Sequence, residues 1–206
     1  MIRKSGWMIV LILMSLIWPA SALPYDESSG QVLGGSANSP IQIEVFSDFE
    51  CSACREFYLG TVRQILQEYS SKDKVCFIYH EFPLSIPSHK YSRDAARYAE
   101  AAGKLGVKQL LAVMDALFMD QAVWSQDGKI EPSIAKVLSR DDFQKLKNAL
   151  SDSNINLAIE REIDLGNKNQ VRSTPTMFIR YTGKQQKVEG VVTYVVLKQF
   201  IDNIVK

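Results

Sequence analysis

Cys51 and Cys54 stand two residues apart in Phe46-Ser-Asp-Phe-Glu-Cys-Ser-Ala-Cys-Arg-Glu-Phe57, where an apolar run gives way to an amphipathic one. Three chemistries use thiols at this spacing: reversible disulfide exchange, metal ligation and a static cross-link. Zinc ordinarily takes four Cys or His ligands, and the chain offers only Cys76, His80 and His89 besides this pair. No metal site is expected. Exchange requires a thiolate, and the first turn of a helix favours one through its unpaired N–H groups and its dipole. The pKa of Cys51 should therefore be lowered, with Glu50 opposing the shift as a neighbouring like charge. A two-residue spacer lets Cys54 reach Cys51 and break any mixed disulfide formed there.

The elements that must hold the pair can be read on either side of it. Ile41, Ile43 and Val45, with Phe46 following, predict a buried strand that ends at Ser47-Asp48. A helix then starts at or just after Cys51. Its apolar stripe is Tyr58, Val62, Ile65, Leu66 and Tyr69, and Cys54 lies one turn before Tyr58 on that stripe. Cys54 should face inward and Cys51 should sit at the exposed helix tip. Val75 to Tyr79 reads as a second buried strand with Cys76 as a core thiol, while His80 and His89 read as surface or capping residues.

Residues 23–40 form a Ser, Gly, Asn and Pro-rich lead with a short strand at Gln31-Val-Leu33. From Ser88 to about Gly166 the pattern is helical. Ala95, Ala99 and Ala102 mark one helix, Leu110 to Phe118 a second, and Pro132 a first helical turn. Asp141-x-x-Gln144 resembles a capping box, and Ile155, Ala158, Ile159 and Ile163 mark the last stripe. Strands return at Thr176–Arg180 and Lys187–Gly190, joined by a turn at Tyr181–Lys184, before a closing helix capped by Thr193. The order β-α-β, helical block, β-β-α argues for one α/β sheet interrupted by an insertion.

The first 22 of the 206 residues differ from the rest: Arg3 and Lys4, an apolar run from Trp7 to Trp18, then Ala20-Ser21-Ala22. This is the pattern of a cleaved secretory signal, the alternative being a retained anchor. Beyond it stand 22 basic and 23 acidic side chains, a balance that makes no electrostatic case for nucleic acid or an anionic membrane surface. Three cysteines are few for a disulfide-stapled exported scaffold, which suits a working pair and a spare.

A thiol pair at a strand-to-helix turn, with Pro175 just ahead of a later strand, resembles the thioredoxin fold. The helical block resembles the DsbA-like branch of exported thiol:disulfide oxidoreductases. Local matches are Phe46–Cys54, Glu81-Phe-Pro-Leu84, Ala116-Leu-Phe118 with Gln121 and Trp124, and Val171–Ile179. The resemblance implies a mixed central sheet flanked by helices, with the thioredoxin-like domain split into residues 41–87 and 167–206 around a helical insertion at 88–166. It implies Cys51 as nucleophile and Cys54 as resolving cysteine. Thr174 and cis-Pro175 would then be the substrate-binding edge, offering the carbonyl of Ser173 or Thr174 to an extended chain.

No cofactor beyond the Cys51–Cys54 disulfide is implied. The implied partners are reduced or unfolded exported proteins and a membrane quinone-linked reoxidising protein of the DsbB or vitamin-K-epoxide-reductase type. A monomer in the periplasm or another extracytoplasmic space is expected. Two departures stand out: Ser52-Ala53 lacks the aromatic or imidazole that many relatives carry between the cysteines, and Val45 occupies the position of the buried acid of thioredoxins. Glu44 should point to the opposite face, so the proton acceptor is unassigned. The alternatives are a reductase or isomerase of the same fold, or a non-catalytic peptide-binding, chaperone or metal-carrying module.

Overall fold

A computed structural model describes residues 30–205. The proposed signal at residues 1–22 lies outside them, as do residues 23–29 of the lead. The chain runs β1 (Gln31–Gly34), β2 (Ile41–Ser47), α1 (Ser52–Phe57), a π-helical turn (Tyr58–Val62), α2 (Arg63–Glu68) and β3 (Val75–Glu81). Helices follow as α3 (Ser92–Gly103), α4 (Val107–Met119), α5 (Gln121–Trp124), α6 (Glu131–Ala135), α7 (Arg140–Ala149) and α8 (Asn154–Lys168). The chain closes with β4 (Thr176–Tyr181), β5 (Lys184–Glu189) and α9 (Tyr194–Ile204).

One five-stranded mixed sheet results, in the order β1-β3-β2-β4-β5. The central pair β2 and β3 is parallel, as a helical crossover requires, and its register sets Ser47 opposite Glu81 and Val45 opposite Tyr79. β4 pairs antiparallel to β2, so the two separated halves share one hydrogen-bonded ladder. The thioredoxin-like architecture expected of the sequence is therefore present, with the helical block entering between β3 and β4.

Strand alternation divides the buried residues between two faces. Ile43, Val45, Phe77, Tyr79, Met177 and Ile179 join the main core with Cys54, Tyr58, Ile65, Met114 and Leu197. Phe46 and Phe178 turn the other way and pack with Phe82 and Val171 against Ile163 and Leu165. Here α8 comes close because residue 166 is glycine: a Cβ there would overlap the Phe82 ring. In α3, Ala95, Ala96, Ala99, Ala101 and Ala102 are all buried, small side chains that let this helix pack against both α4 and α8.

Three local expectations change. The stripe after Cys54 is interrupted by the π-helical turn, which buries Thr61 and leaves Leu66 only half-buried. The cap of α7 is Ser139, whose hydroxyl accepts from the Asp142 N–H at 3.1 Å, two residues before the anticipated box. His80 is not a surface residue: it is wholly buried, stacked on Phe46 at 4.4 Å and bonded to Glu162. A strand histidine turned toward α8 meets a carboxylate that sequence spacing does not reveal.

Candidate functional site

Cys51 is the N-cap of α1, with extended backbone, so its side chain leaves the helix end while the first helical N–H groups point past it. Its Sγ donates to the Thr174 carbonyl at 3.3 Å, across the Thr174–Pro175 bond, which is cis. Cys54 is buried one turn in, at 1% exposure, and both sulfurs are free thiols. The fold thus brings together all four residues singled out from sequence: Cys51, Cys54, Thr174 and Pro175.

The two thiols are displaced in opposite directions. Cys51 is lowered from 9.0 to about 6, first by a hydrogen bond from the Cys54 thiol, with burial opposing. The Thr174 side chain and the backbone of Cys54 and Ala53 lower it further. Cys54 is pushed well up, first by burial and then by its bond to, and the negative charge at, Cys51, while the Ser47 side chain opposes. The lowering of Cys51 agrees with the helix-terminus argument in direction, but the neighbouring thiol contributes more than the backbone.

Asp48 organises the loop ahead of Cys51. Its buried carboxylate accepts from the Glu50 N–H at 2.7 Å, the Leu84 N–H at 2.8 Å and the Ser92 hydroxyl at 2.6 Å. His89 Nδ1 closes the set at 2.8 Å, so this histidine is a loop clamp and not a surface group. Glu50 is tied back as well, accepting from the Tyr91 N–H at 2.7 Å. These two acids join the active-site loop to the start of the helical block.

That block also grips the site from the other side. Gln121 Nε2 donates to the Phe49 carbonyl at 2.6 Å and to the Cys51 carbonyl at 3.1 Å. Arg55 Nε donates to the Phe118 carbonyl at 2.9 Å, and the Phe118 ring meets Phe49 at 4.8 Å and Tyr58 at 4.7 Å. From the sequence alone Gln121 and Phe118 have no assigned role, and Asp48 reads as the end of a strand. The available signal was an acid at the turn of a strand-turn-helix unit, which usually binds backbone N–H groups.

On the far face of the sheet, His80 Nε2 lies 3.7 Å from Glu44, which is also bonded to Arg180. Glu44 does turn away from the thiols. Among the described residues no group of three or more His, Cys, Asp or Glu side chains is arranged to hold a metal ion.

The thioredoxin family profile matches residues 27–203 of the chain. The chain belongs to the thioredoxin family. Among thioredoxin-like relatives it is similar to disulfide bond formation protein D of Bacillus subtilis, 23% identical over 182 residues, 86% of this chain and 78% of that protein. It is also 23% identical over 149 residues to the probable disulfide bond formation protein D of Bacillus cereus, covering 70% of this chain and 68% of that one. The crystal structure of Wolbachia pipientis alpha-DsbA1 superposes with a TM-score of 0.70 at 21% identity, over 89% of this chain and 93% of its own. This likeness is one of fold and covers most of both chains.

Proposed function

We propose that this thioredoxin-family protein is an extracytoplasmic thiol:disulfide oxidoreductase that introduces disulfides into exported proteins through Cys51 and Cys54. The observation that carries the reading is the asymmetry of the pair: a half-buried thiol held at about 6 beside a buried thiol pushed well up. A substrate thiolate attacks Cys51 of the oxidised pair, forming a mixed disulfide and releasing Cys54. A second substrate thiolate then attacks the substrate sulfur, forming the product disulfide and releasing Cys51 as the better leaving group. Two electrons pass from substrate to the pair, which is left reduced.

The low pKa of Cys51 stabilises the reduced state and so favours oxidation of substrates over their reduction or isomerisation. The names of the Bacillus relatives support the same direction. Thr174 and Pro175 stand beside Cys51, where an extended substrate would run. Export is supported by the charged, apolar and small-residue pattern of residues 1–22. On this reading the substrates are reduced exported proteins, and a membrane quinone-linked protein reoxidises the pair, which is the sole redox centre.

Equilibration of the Cys51/Cys54 pair against a glutathione buffer, beside oxidation of a reduced, unfolded substrate, tests the proposal. An oxidising pair that transfers its disulfide supports it. A strongly reducing pair would make the protein a reductase, and stoichiometric copper or zinc with no exchange would overturn the enzyme reading.

A further inference from the structure

The attacking thiol and the substrate edge belong to different elements: Cys51 opens α1, whereas Thr174 and Pro175 stand just ahead of β4. The hydrogen bond that joins them directly runs from Cys51 Sγ to the Thr174 carbonyl. That bond needs the proton of a thiol. A disulfide sulfur carries none, so the link is missing in the oxidised pair, the state that receives a substrate on the exchange reading. Another tie has to hold the edge there.

The edge itself is fastened only to its own sheet. The Ser173 carbonyl accepts from the Thr176 hydroxyl at 2.7 Å, a bond within the same loop. The Pro175 carbonyl accepts from the Gly190 N–H at 2.8 Å, one step beyond the last β4–β5 pair, Thr176 with Glu189. The edge therefore moves with the end of β5. That strand is outermost in the sheet and five of its six side chains are exposed, so it brings little packing of its own.

The anchor lies two residues beyond Gly190. Thr61, in the π-helical turn that continues α1, donates its hydroxyl to the Val192 carbonyl at 2.7 Å. It is buried, at 2% exposure, and stands seven residues after Cys54, two helical turns along the same face. A buried β-branched side chain has little rotamer freedom, so this bond fixes the loop 190–193 to the helix that carries both thiols. Val191 and Val192 pack half-buried against the main core beside it. Tyr194 and Lys198 also reach α2, at Glu68, but they hold α9 rather than the loop before it.

We propose that Thr61 is a positioning residue for substrate capture: through Val192 and Gly190 it holds Thr174 and Pro175 against Cys51 when the pair is oxidised. The inference rests on the exchange chemistry proposed above. Oxidation takes the Cys51 proton away from the Thr174 carbonyl and leaves that acceptor open to an N–H of an extended chain. The Thr61 tie keeps the acceptor at a fixed place beside the sulfur that the substrate thiolate attacks. Thr61 touches neither substrate nor sulfur, so its effect falls on binding of a chain and not on the exchange step.

The test is single-turnover oxidation of a reduced two-cysteine peptide by the oxidised full protein, followed across peptide concentrations. Reduction of the same disulfide by dithiothreitol, which has no peptide chain, runs beside it. Thr61→Val should raise the half-saturating peptide concentration by about tenfold, the worth of one lost hydrogen bond, with the limiting rate and the dithiothreitol rate within about twofold of wild type. Thr61→Ser, which keeps the hydroxyl, should restore the wild-type value. Tyr194→Phe, which loosens α9 and leaves the loop tied, should not change it.

An unchanged half-saturating concentration in Thr61→Val overturns the proposal. So does a loss that falls equally on dithiothreitol, one that Thr61→Ser does not repair, or one that Tyr194→Phe reproduces. If Thr61→Val does not fold, Gly190→Ala decides. The backbone there has φ of +87°, which an L side chain rarely adopts, and a Cβ would meet nothing within 4 Å, so the change disturbs the tie through conformation alone. The same rise for the peptide is expected, and an unchanged value overturns the proposal. A wild-type disulfide that neither peptide nor dithiothreitol opens would instead overturn the exchange reading itself.

Discussion

The Cys51 sulfur donates to the Thr174 carbonyl at 3.3 Å, joining a helix tip to a loop 123 residues later in the chain. The insertion between these segments leaves the site as a meeting of two halves of one sheet. Whatever sets the reactivity of Cys51 must act at this seam.

Removing either neighbour of the Cys51 sulfur should raise its pKa. Cys54→Ala loses the largest lowering influence and Thr174→Val a smaller one, so the shift should be greater for Cys54→Ala. The pH dependence of Cys51 alkylation reads this, with half-reactivity near 6 in the wild type. The depressed pKa has a stability counterpart in the reduced protein. The contribution of Cys51 is fully present above the unfolded thiol value and is lost as pH falls through about 6.

Asp48→Ala should destabilise the protein by about 3 kcal/mol or more, because it strips a buried carboxylate from two backbone N–H groups, a hydroxyl and a ring nitrogen. Urea unfolding measures the loss. Asp48→Asn should retain part of the network and fall between.

Gln121→Ala should free the Phe49 and Cys51 carbonyls from their shared donor, a loss of about 1–2 kcal/mol. Hydrogen exchange should rise locally in the 48–52 loop. An equal rise across β2 and β3 would count against a local clamp.

Glu100 titrates with the opposite consequence to Cys51. Its folded pKa of about 7 stands above the ordinary carboxyl value of 4.5, so the folded state holds a proton that the unfolded chain gives up, and stability falls as pH rises across that window. Glu100→Gln should flatten the fall, which is on the order of 3 kcal/mol for a shift of this size. His80, raised above its ordinary value despite burial because Glu162 and Glu44 face it, adds a loss above about pH 6.5.

Much of the fold could be read from residues close together in the chain. The alternation of Ile41, Ile43 and Val45 and the stripe after Cys54 define β2 and α1 locally, and Cys51 takes the N-cap position that this junction predicts. The strand within the lead appears as β1, running to Gly34. Residues whose meaning depends on distant partners are not legible in this way. His80 looks polar in sequence but meets Glu162, 82 residues away, and Asp48 binds His89 and Ser92, over 40 residues away. Spacing can report which face a side chain takes, but it does not report what waits on the other side.

Trapping a mixed disulfide tests the central claim most directly. Cys54→Ala protein, incubated with a substrate activated as a disulfide, is digested and its cross-linked peptides are mapped by mass spectrometry. The account predicts a substrate joined to Cys51, with Cys76, buried in β3, unmodified. A substrate joined to Cys76, or no adduct with Cys51 intact, would contradict it.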